Sequence, residues 1–288
     1  CYGFWIYNRK KAKETSTSYF FLAEGSLTWW AIGASLIASN ISAEQFVGLS
    51  GSGFAMGLAI SSYEWMAAAT LIVVAIFFMP GYLTNRIFTM PQFLEKRYSP
   101  LVATMMAIFW LLVYVFVNLS AILYLGAIAI STISGFSFMT CSEFLAVFAI
   151  IISLGGMKVI GYTDVVQVAV LVIGGLATTY LAVNLVSEQY GMSGFWNGLG
   201  LLKQEAPGHF HMILEKGQQM MPDGKGGEID AWTALPGLTV LFGAMWIANL
   251  NYWGCNQYIT QRALGASLPT ARRGLLFAAF LKLLMPII

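Results

Sequence analysis

Charge is scarce in this chain. Only 10% of its 288 residues are Asp, Glu, Lys or Arg, against about 25% in an ordinary soluble domain. The formal balance of +2 offers no basic patch for a polyanion, so no nucleic-acid partner is expected. Cysteine is also rare. Cys1, Cys141 and Cys255 show no metal-ligand spacing such as CxxC, which leaves them as small apolar fillers. Histidine occurs twice, as His209 and His211 in one polar stretch. The His-Phe-His pair offers two metal ligands and no third nearby, so a solvated loop is the simpler reading.

Hydrophobicity fills the space that charge leaves. Apolar residues make up 58% of the chain and mean hydropathy is +0.72, which implies a multi-pass protein of the cell membrane in contact with lipid. Hydropathy predicts spans near Leu27 to Phe54, Leu58 to Met79, Leu101 to Ser131, Phe138 to Leu154, Thr163 to Val186 and Leu235 to Tyr258. A seventh begins near Gly274. Both ends of the chain fall in apolar runs shorter than the about 20 residues needed to span, which predicts that it belongs to a longer protein.

The basic residues orient these spans. Arg9, Lys10, Lys11 and Lys13 precede the first span, and Arg86, Lys96 and Arg97 follow the second. Lys158 follows the fourth, and Arg262, Arg272 and Arg273 follow the sixth. All these loops fall on one side, which the positive-inside rule makes cytoplasmic. Four segments result. Residues 1–26 hold the end of a preceding helix and a basic segment, 27–186 a five-helix unit, 187–234 an extracytoplasmic loop, and 235–288 a broken sixth helix with part of a seventh. Within the loop, Gly191 to Leu202 has a helix-compatible pattern, and either a short helix over the mouth or a mobile segment is compatible with it.

Polar residues then interrupt the apolar runs. Ala38-Ser39-Asn40-Ile41-Ser42-Ala43-Glu44-Gln45 lies inside the first span, and Ala248-Asn249-Leu250-Asn251-Tyr252 lies inside the sixth. In hydrocarbon an interruption of this kind is tolerated only against protein or a water-filled cavity. Five spans separate the two, an odd number, so the second crosses in the opposite sense and the pair forms an inverted repeat. Broken helices expose carbonyls to a cation and helix ends to a polar ligand. The plainer alternative is that Asn40 and Asn249 only hydrogen-bond between helices.

Ionisable groups within spans are expensive and need partners. Glu64, flanked by Tyr63 and Trp65, and Lys282 would form either a buried ion pair or an acceptor and donor for a polyhydroxyl ligand. Gln45 and Asn249 are each donor and acceptor at once, which suits neutral hydroxyls. Tyr252 and Trp253 add aromatic faces on which a sugar ring stacks. Thr163 or Asp164 is expected to cap the fifth helix, with a cation relay at the inner mouth as a further role for Asp164. Glu44 or Glu64 as the acid of an intramembrane enzyme lacks a His pair or Ser/Lys dyad to complete it, so no enzyme is expected.

Those residues also resemble a known family. Gly33 to Gly48, Ser62-Tyr63-Glu64-Trp65-Met66, Thr89 to Arg97, Gly155 to Gln167, Ala206 to Phe210, Ala248 to Gln257 and Phe277 to Lys282 look like the sodium/glucose branch of the sodium/solute symporter family. The resemblance implies an all-α integral membrane fold with an inverted-repeat (LeuT-type) transporter core, here the first five-helix repeat and the start of the second. It implies sodium-coupled symport of a neutral monosaccharide by alternating access, with sodium as the co-transported ion. Carried over residue by residue, Gln45, Glu64, Asn249 and Lys282 would bind the sugar, with Asn40 and Glu44 in the network. Tyr252 would stack on it as inner gate beside Trp253, Tyr63 and Leu49 would belong to the outer gate, and the carbonyls of Ala38 and Ile41 would bind sodium. Ala67 stands where a sugar-contacting serine would be expected, and the remaining sodium ligands would lie beyond Ile288. Alternatives are a related solute such as inositol, a nucleoside or an acidic sugar, or a non-transporting sensor.

Overall fold

Apolar runs punctuated by glycine and proline leave the backbone no way to satisfy its hydrogen bonds in lipid except within helices, and helices dominate. A computed structural model describes residues 27–153 and 156–287, with the side chains of 43, 44, 46 and 156–158 outside the description. The basic segment before residue 27, the side chains of Glu44 and Lys158, and Ile288 therefore lie outside the description.

The first expected span is divided. Helix α1, Trp29–Asn40, and helix α2, Ala43–Met56, are separated by Ile41 and Ser42, with Ile41 at φ −86° and ψ 86°. The Ser42 N–H donates to the Asn40 carbonyl at 3.1 Å, and so turns away from the Ala38 carbonyl that continued helix would have given it. Gly57 next interrupts the helix at φ 65°, where the His209 backbone lies so close that a Cβ would stand 2.1 Å from its carbonyl oxygen. After one 3-10 turn come α3, Ser61–Val73, a π-helical turn over Val74–Phe78, and α4, Met79–Thr84. Helix α5, Met90–Arg97, opens on a capping box of Thr89 and Gln92.

Helices α6, Pro100–Leu112, and α7, Ser120–Ser134, join through a second π-helical stretch, Val113–Leu119, to make one run of 35 residues. Helices α8, Phe138–Ser153, and α9, Gly156–Gln189, correspond to the fourth and fifth expected spans. Helix α9 starts earlier than expected, so Thr163 and Asp164 sit about two turns inside it and do not cap it. Thr163 donates instead to the carbonyls of Val159 and Ile160, at 3.0 and 2.9 Å.

The polar stretch before the sixth span contains a helix, α10, Phe195–Glu205, and a two-stranded antiparallel ribbon of β1, Met220–Pro222, and β2, Glu228–Asp230. At its tip the Asp223 carboxyl is held below the usual range by the N–H groups of Lys225 and Gly227. The loop is tied to the membrane helices at two carbonyls near the end of α2. His209 Nε2 lies 3.1 Å from the Phe54 oxygen, and Gln219 donates to the Ala55 oxygen at 3.1 Å. Among the described residues no cluster of three His, Cys, Asp or Glu side chains forms.

The sixth span is built from short pieces. Helix α11, Ala231–Ala234, leads to α12, Gly237–Phe242, and α13, Ala244–Leu250, with a 76° bend between the arms. A π-helical turn over Asn251–Cys255 follows, and the chain leaves helical geometry at Asn256, φ −82° and ψ 122°, before α14, Gln257–Leu264. Thus the interruption lies just beyond the expected Ala248 to Tyr252 segment, whose residues stay wound. Helix α15, Leu268–Leu284, completes the described chain apart from a final turn.

Small residues let the two repeats approach. Helix α15 packs along α1, whose other side meets α9. At the crossing a Cβ on Gly33 would stand 2.6 Å from Phe277 Cδ1 and 2.7 Å from the Gly274 carbonyl oxygen, and one on Gly274 would stand 2.7 Å from Ile32 Cγ2. Close backbone approach of this kind drives helix association in membranes. Gly33→Val is expected to force the helices apart at a cost of about 1–3 kcal/mol, read as a lowered thermal unfolding midpoint of the full-length protein in detergent.

Candidate functional site

Both interruptions open onto one cavity of about 870 Å³. The polar residues singled out from sequence meet there. Asn40, Gln45, Leu49, Tyr63, Glu64, Asn249, Tyr252, Trp253 and Lys282 all line it. Among the described residues, Glu64 and Lys282 are the only charged side chains in that lining.

Glu64 is brought to the cavity by the first turn of α3, Lys282 by the last turn of α15 and Gln45 by the first turn of α2. Glu64 Oε2 forms an ion pair with Lys282 Nζ, while Oε1 accepts from Gln45 Nε2 at 2.9 Å. The ammonium also lies 5.6 Å from the centroid of the Trp253 ring, within cation–π range. Both charges are almost fully buried, where an unpaired ion would be costly. The donor, the acid and the base thus hold one another. Each is also a group that a hydroxyl can engage.

A second set of contacts joins the two interruptions. Asn40, the last residue of α1, donates through Nδ2 to the Tyr252 hydroxyl at 3.1 Å, and the Tyr258 hydroxyl donates to the same oxygen at 2.8 Å. The Asn40 Oδ1 is buried with no partner among the described residues. Asn249 is wound into α13 and donates to the Met245 carbonyl at 3.0 Å.

Aromatic rings form the remaining wall. Trp110 and Tyr114 stack at 5.5 Å, Tyr114 meets Tyr258 edge-on at 5.7 Å, and Tyr258 meets Tyr252 at 6.0 Å. Tyr252 in turn meets Trp253 edge-on at 5.1 Å. Tyr114 also donates to Asn256 Oδ1 at 2.6 Å, fixing the residue at which the sixth span unwinds. Tyr82 donates to the Gly254 carbonyl at 2.9 Å and steadies the same turn. Flat apolar faces beside a few polar groups suit a ring that carries hydroxyls on its edge.

Asp164 lies outside this cavity lining, in a buried cluster on the other side of α1. Ser35 donates to its Oδ2, and Arg262 reaches the same oxygen at 3.6 Å while its Nε donates to Ser35 Oγ at 2.6 Å. Arg262 also donates to the Tyr258 carbonyl at 2.6 Å. Here the structure corrects the loop assignment of Arg262. It is a buried cation that ties α14 to α1 and α9, and the signal for it was the Asp164 carboxylate inside an expected span, which needs a cationic partner. Ser35, Tyr114, Asn256 and Tyr258 were also missed as site elements, because hydroxyls and amides in apolar runs carry no sequence mark of their partners.

Residues 20–288 match the family model described as "Sodium:solute symporter family". The chain is 48% identical over 286 residues to the sodium/glucose cotransporter of Vibrio parahaemolyticus, covering 99% of this chain and 50% of that protein. It is 32% identical over 293 residues to human sodium/myo-inositol cotransporter 2, covering 97% of this chain and 41% of that one. It therefore spans about half the length, or less, of these curated relatives. The solved structure of a substrate-bound, outward-open Na+-coupled sialic acid symporter superposes with a TM-score of 0.78 at 19% identity, covering 99% of this chain and 55% of the other.

Proposed function

Because the chain belongs to the sodium:solute symporter family, we propose that it contributes the sugar-facing half of a sodium-coupled symporter for a neutral monosaccharide of the galactose or glucose type. The observation that carries this reading is the convergence of Gln45, Glu64 and Lys282 on a cavity walled by Trp110, Tyr114, Tyr252 and Tyr258. Sugar hydroxyls would take over the hydrogen bonds that these three side chains now make to one another, and Asn249 would add a further amide. Tyr252, held by Asn40 and Tyr258, would close the cavity on the inner side, with Tyr63 and Leu49 on the outer.

Sodium would sit at the first interruption, on the carbonyls of Ala38 and Ile41. The redirected Ser42 N–H supports this for Ala38, because that carbonyl has lost its helical donor. A cation there would hold α1 and α2 in the geometry that presents Asn40 and Gln45 to the cavity. Sodium and sugar would then strengthen each other's binding reciprocally. Asp164, held by Arg262 and Ser35 close to α1, would give a departing cation a carboxylate to pass.

A second reading keeps the mechanism and changes the solute to another polyol such as myo-inositol, and similarity to sodium/myo-inositol cotransporter 2 favours it. An acidic sugar fits less well, since Lys282 is already paired with Glu64 and the described residues of the lining include no other cation. The relatives are cotransporters, which weighs against an enzyme.

Uptake of radiolabelled galactose or glucose by the full-length protein in vesicles, under an inward sodium gradient, tests the proposal. Uptake that ignores sodium, or none for any hexose or inositol, would overturn it. Gln45→Ala is expected to weaken sugar binding at saturating sodium by about tenfold, the loss of one or two hydrogen bonds at about 1 kcal/mol each. An unchanged affinity would remove Gln45 from the site.

A further inference from the structure

Between Glu188 and Lys203 the chain carries no charged residue, although it is leaving a membrane helix for an extracytoplasmic loop. The same stretch holds Tyr190, Met192, Phe195 and Trp196. Tyr190, Met192 and Trp196 are exposed, Trp196 at 79%. A loop in water would gain nothing from presenting so many large apolar side chains together.

The packing explains where they point. The first turns of α10 fold back onto α9 and do not stand free of it. Phe195 stacks on Tyr180 at 5.9 Å with the rings 10° apart, and Trp196 meets Phe195 edge-on at 5.4 Å. Ser187 donates to the Gly194 carbonyl at 2.7 Å. Gly198 marks the crossing, since a Cβ there would stand 2.1 Å from the Val183 carbonyl oxygen. Tyr180 ends an exposed stripe of Val166, Val170, Ile173 and Leu176 on α9, at the three- and four-residue spacing of one helix face. Helix α9 is long and apolar enough to cross a membrane, so this stripe runs at hydrocarbon depth. The aromatic cluster is its direct continuation.

Helix α10 changes character along its length. Leu199 and Leu202, with Ala206 just beyond the helix, line a second cavity at the outer mouth, and exposed Lys203, Gln204 and Glu205 end the helix. The helix therefore starts beside the lipid-facing stripe and finishes in the wall of the mouth.

We propose that Tyr180, Phe195 and Trp196 anchor the first half of α10 in the outer interface of the bilayer, with the boundary between headgroups and acyl chains as their partner. Amphipathic rings of Tyr and Trp favour that depth, and a helix with one apolar aromatic side and polar residues at its far end lies in the interface plane. Bilayer contact at one end of α10 fixes the mouth wall at the other.

The test uses the full-length protein in phosphatidylcholine nanodiscs, with Cys141, Cys255 and other free thiols replaced. Spin labels are placed by Trp196→Cys and Lys203→Cys, and their relaxation by dissolved oxygen and by a water-soluble nickel chelate is compared. The label at 196 should respond several-fold more to oxygen than to nickel, and the label at 203 should show the reverse. A nickel response at 196 equal to that at 203 would overturn the proposal in favour of a solvated loop. Shielding from both reagents would overturn it in favour of cover by another part of the longer protein or a second copy. An independent measurement keeps the native side chain. The emission lost in Trp196→Phe, one of the nine tryptophans of these 288 residues, should be quenched by lipids brominated near the headgroup, and absence of quenching would overturn the assignment.

Discussion

Replacing Lys282 with Met is expected to abolish sugar binding and to destabilise the full-length protein by about 3–5 kcal/mol, the usual consequence of leaving one partner of a buried ion pair alone. The size follows from burial. Glu64 and Lys282 are each at most 3% exposed and face each other across α3 and α15, so water cannot replace the lost ammonium. Gln45 would still donate to one oxygen of the carboxylate, which is too little to support a full charge. The double variant Lys282→Met with Glu64→Gln removes both charges and should recover most of the stability while binding stays lost. Thermal unfolding in detergent and equilibrium binding of labelled sugar separate the two effects. Equal destabilisation in the single and double variants would show that the pair's charge has no structural part.

Arg262→Met is expected to have the next largest effect, again about 3 kcal/mol or more from a carboxylate left without its cation. Asp164 would keep only the Ser35 hydroxyl. Three helices would lose their common tie, since Arg262 reaches Asp164 on α9, Ser35 on α1 and the Tyr258 carbonyl on its own helix. Tyr258 also holds Tyr252, so uptake should fall further than stability alone explains. Asp164→Asn in the same background should restore the unfolding midpoint. If it restores uptake too, the cation has no role in the transport cycle beyond folding.

Much of the fold was legible because lipid is a strict solvent. A polar cluster in an apolar run has few permitted explanations, and the interruption at Ile41 and Ser42 lies where Asn40, Glu44 and Gln45 placed it. Glu64 and Lys282 were legible for the same reason, although one of the two readings offered for them was a pair and the other a ligand site. The geometry allows both at once. Less legible was the exact point of unwinding in the sixth span. Asn249, Asn251 and Tyr252 are polar, yet α13 and the π-helical turn keep them wound, and Asn256 breaks the helix because Tyr114 captures its side chain from another span. Arg262 was misread for a related reason, because a charge next to an apolar run looks like a loop residue until its distant carboxylate is seen. Contacts made across the fold leave no periodic trace in the chain.

The mutual hold of Gln45, Glu64 and Lys282 has a thermodynamic consequence. Entry of a solute becomes an exchange of partners, in which the number of hydrogen bonds made is close to the number given up. The heat released on binding should then be small for so polar a ligand, and selectivity should rest on the rings of Tyr114, Tyr252 and Tyr258, which gain a neighbour without surrendering one. The same exchange would leave the site without exposed, unsatisfied charge when no solute is bound.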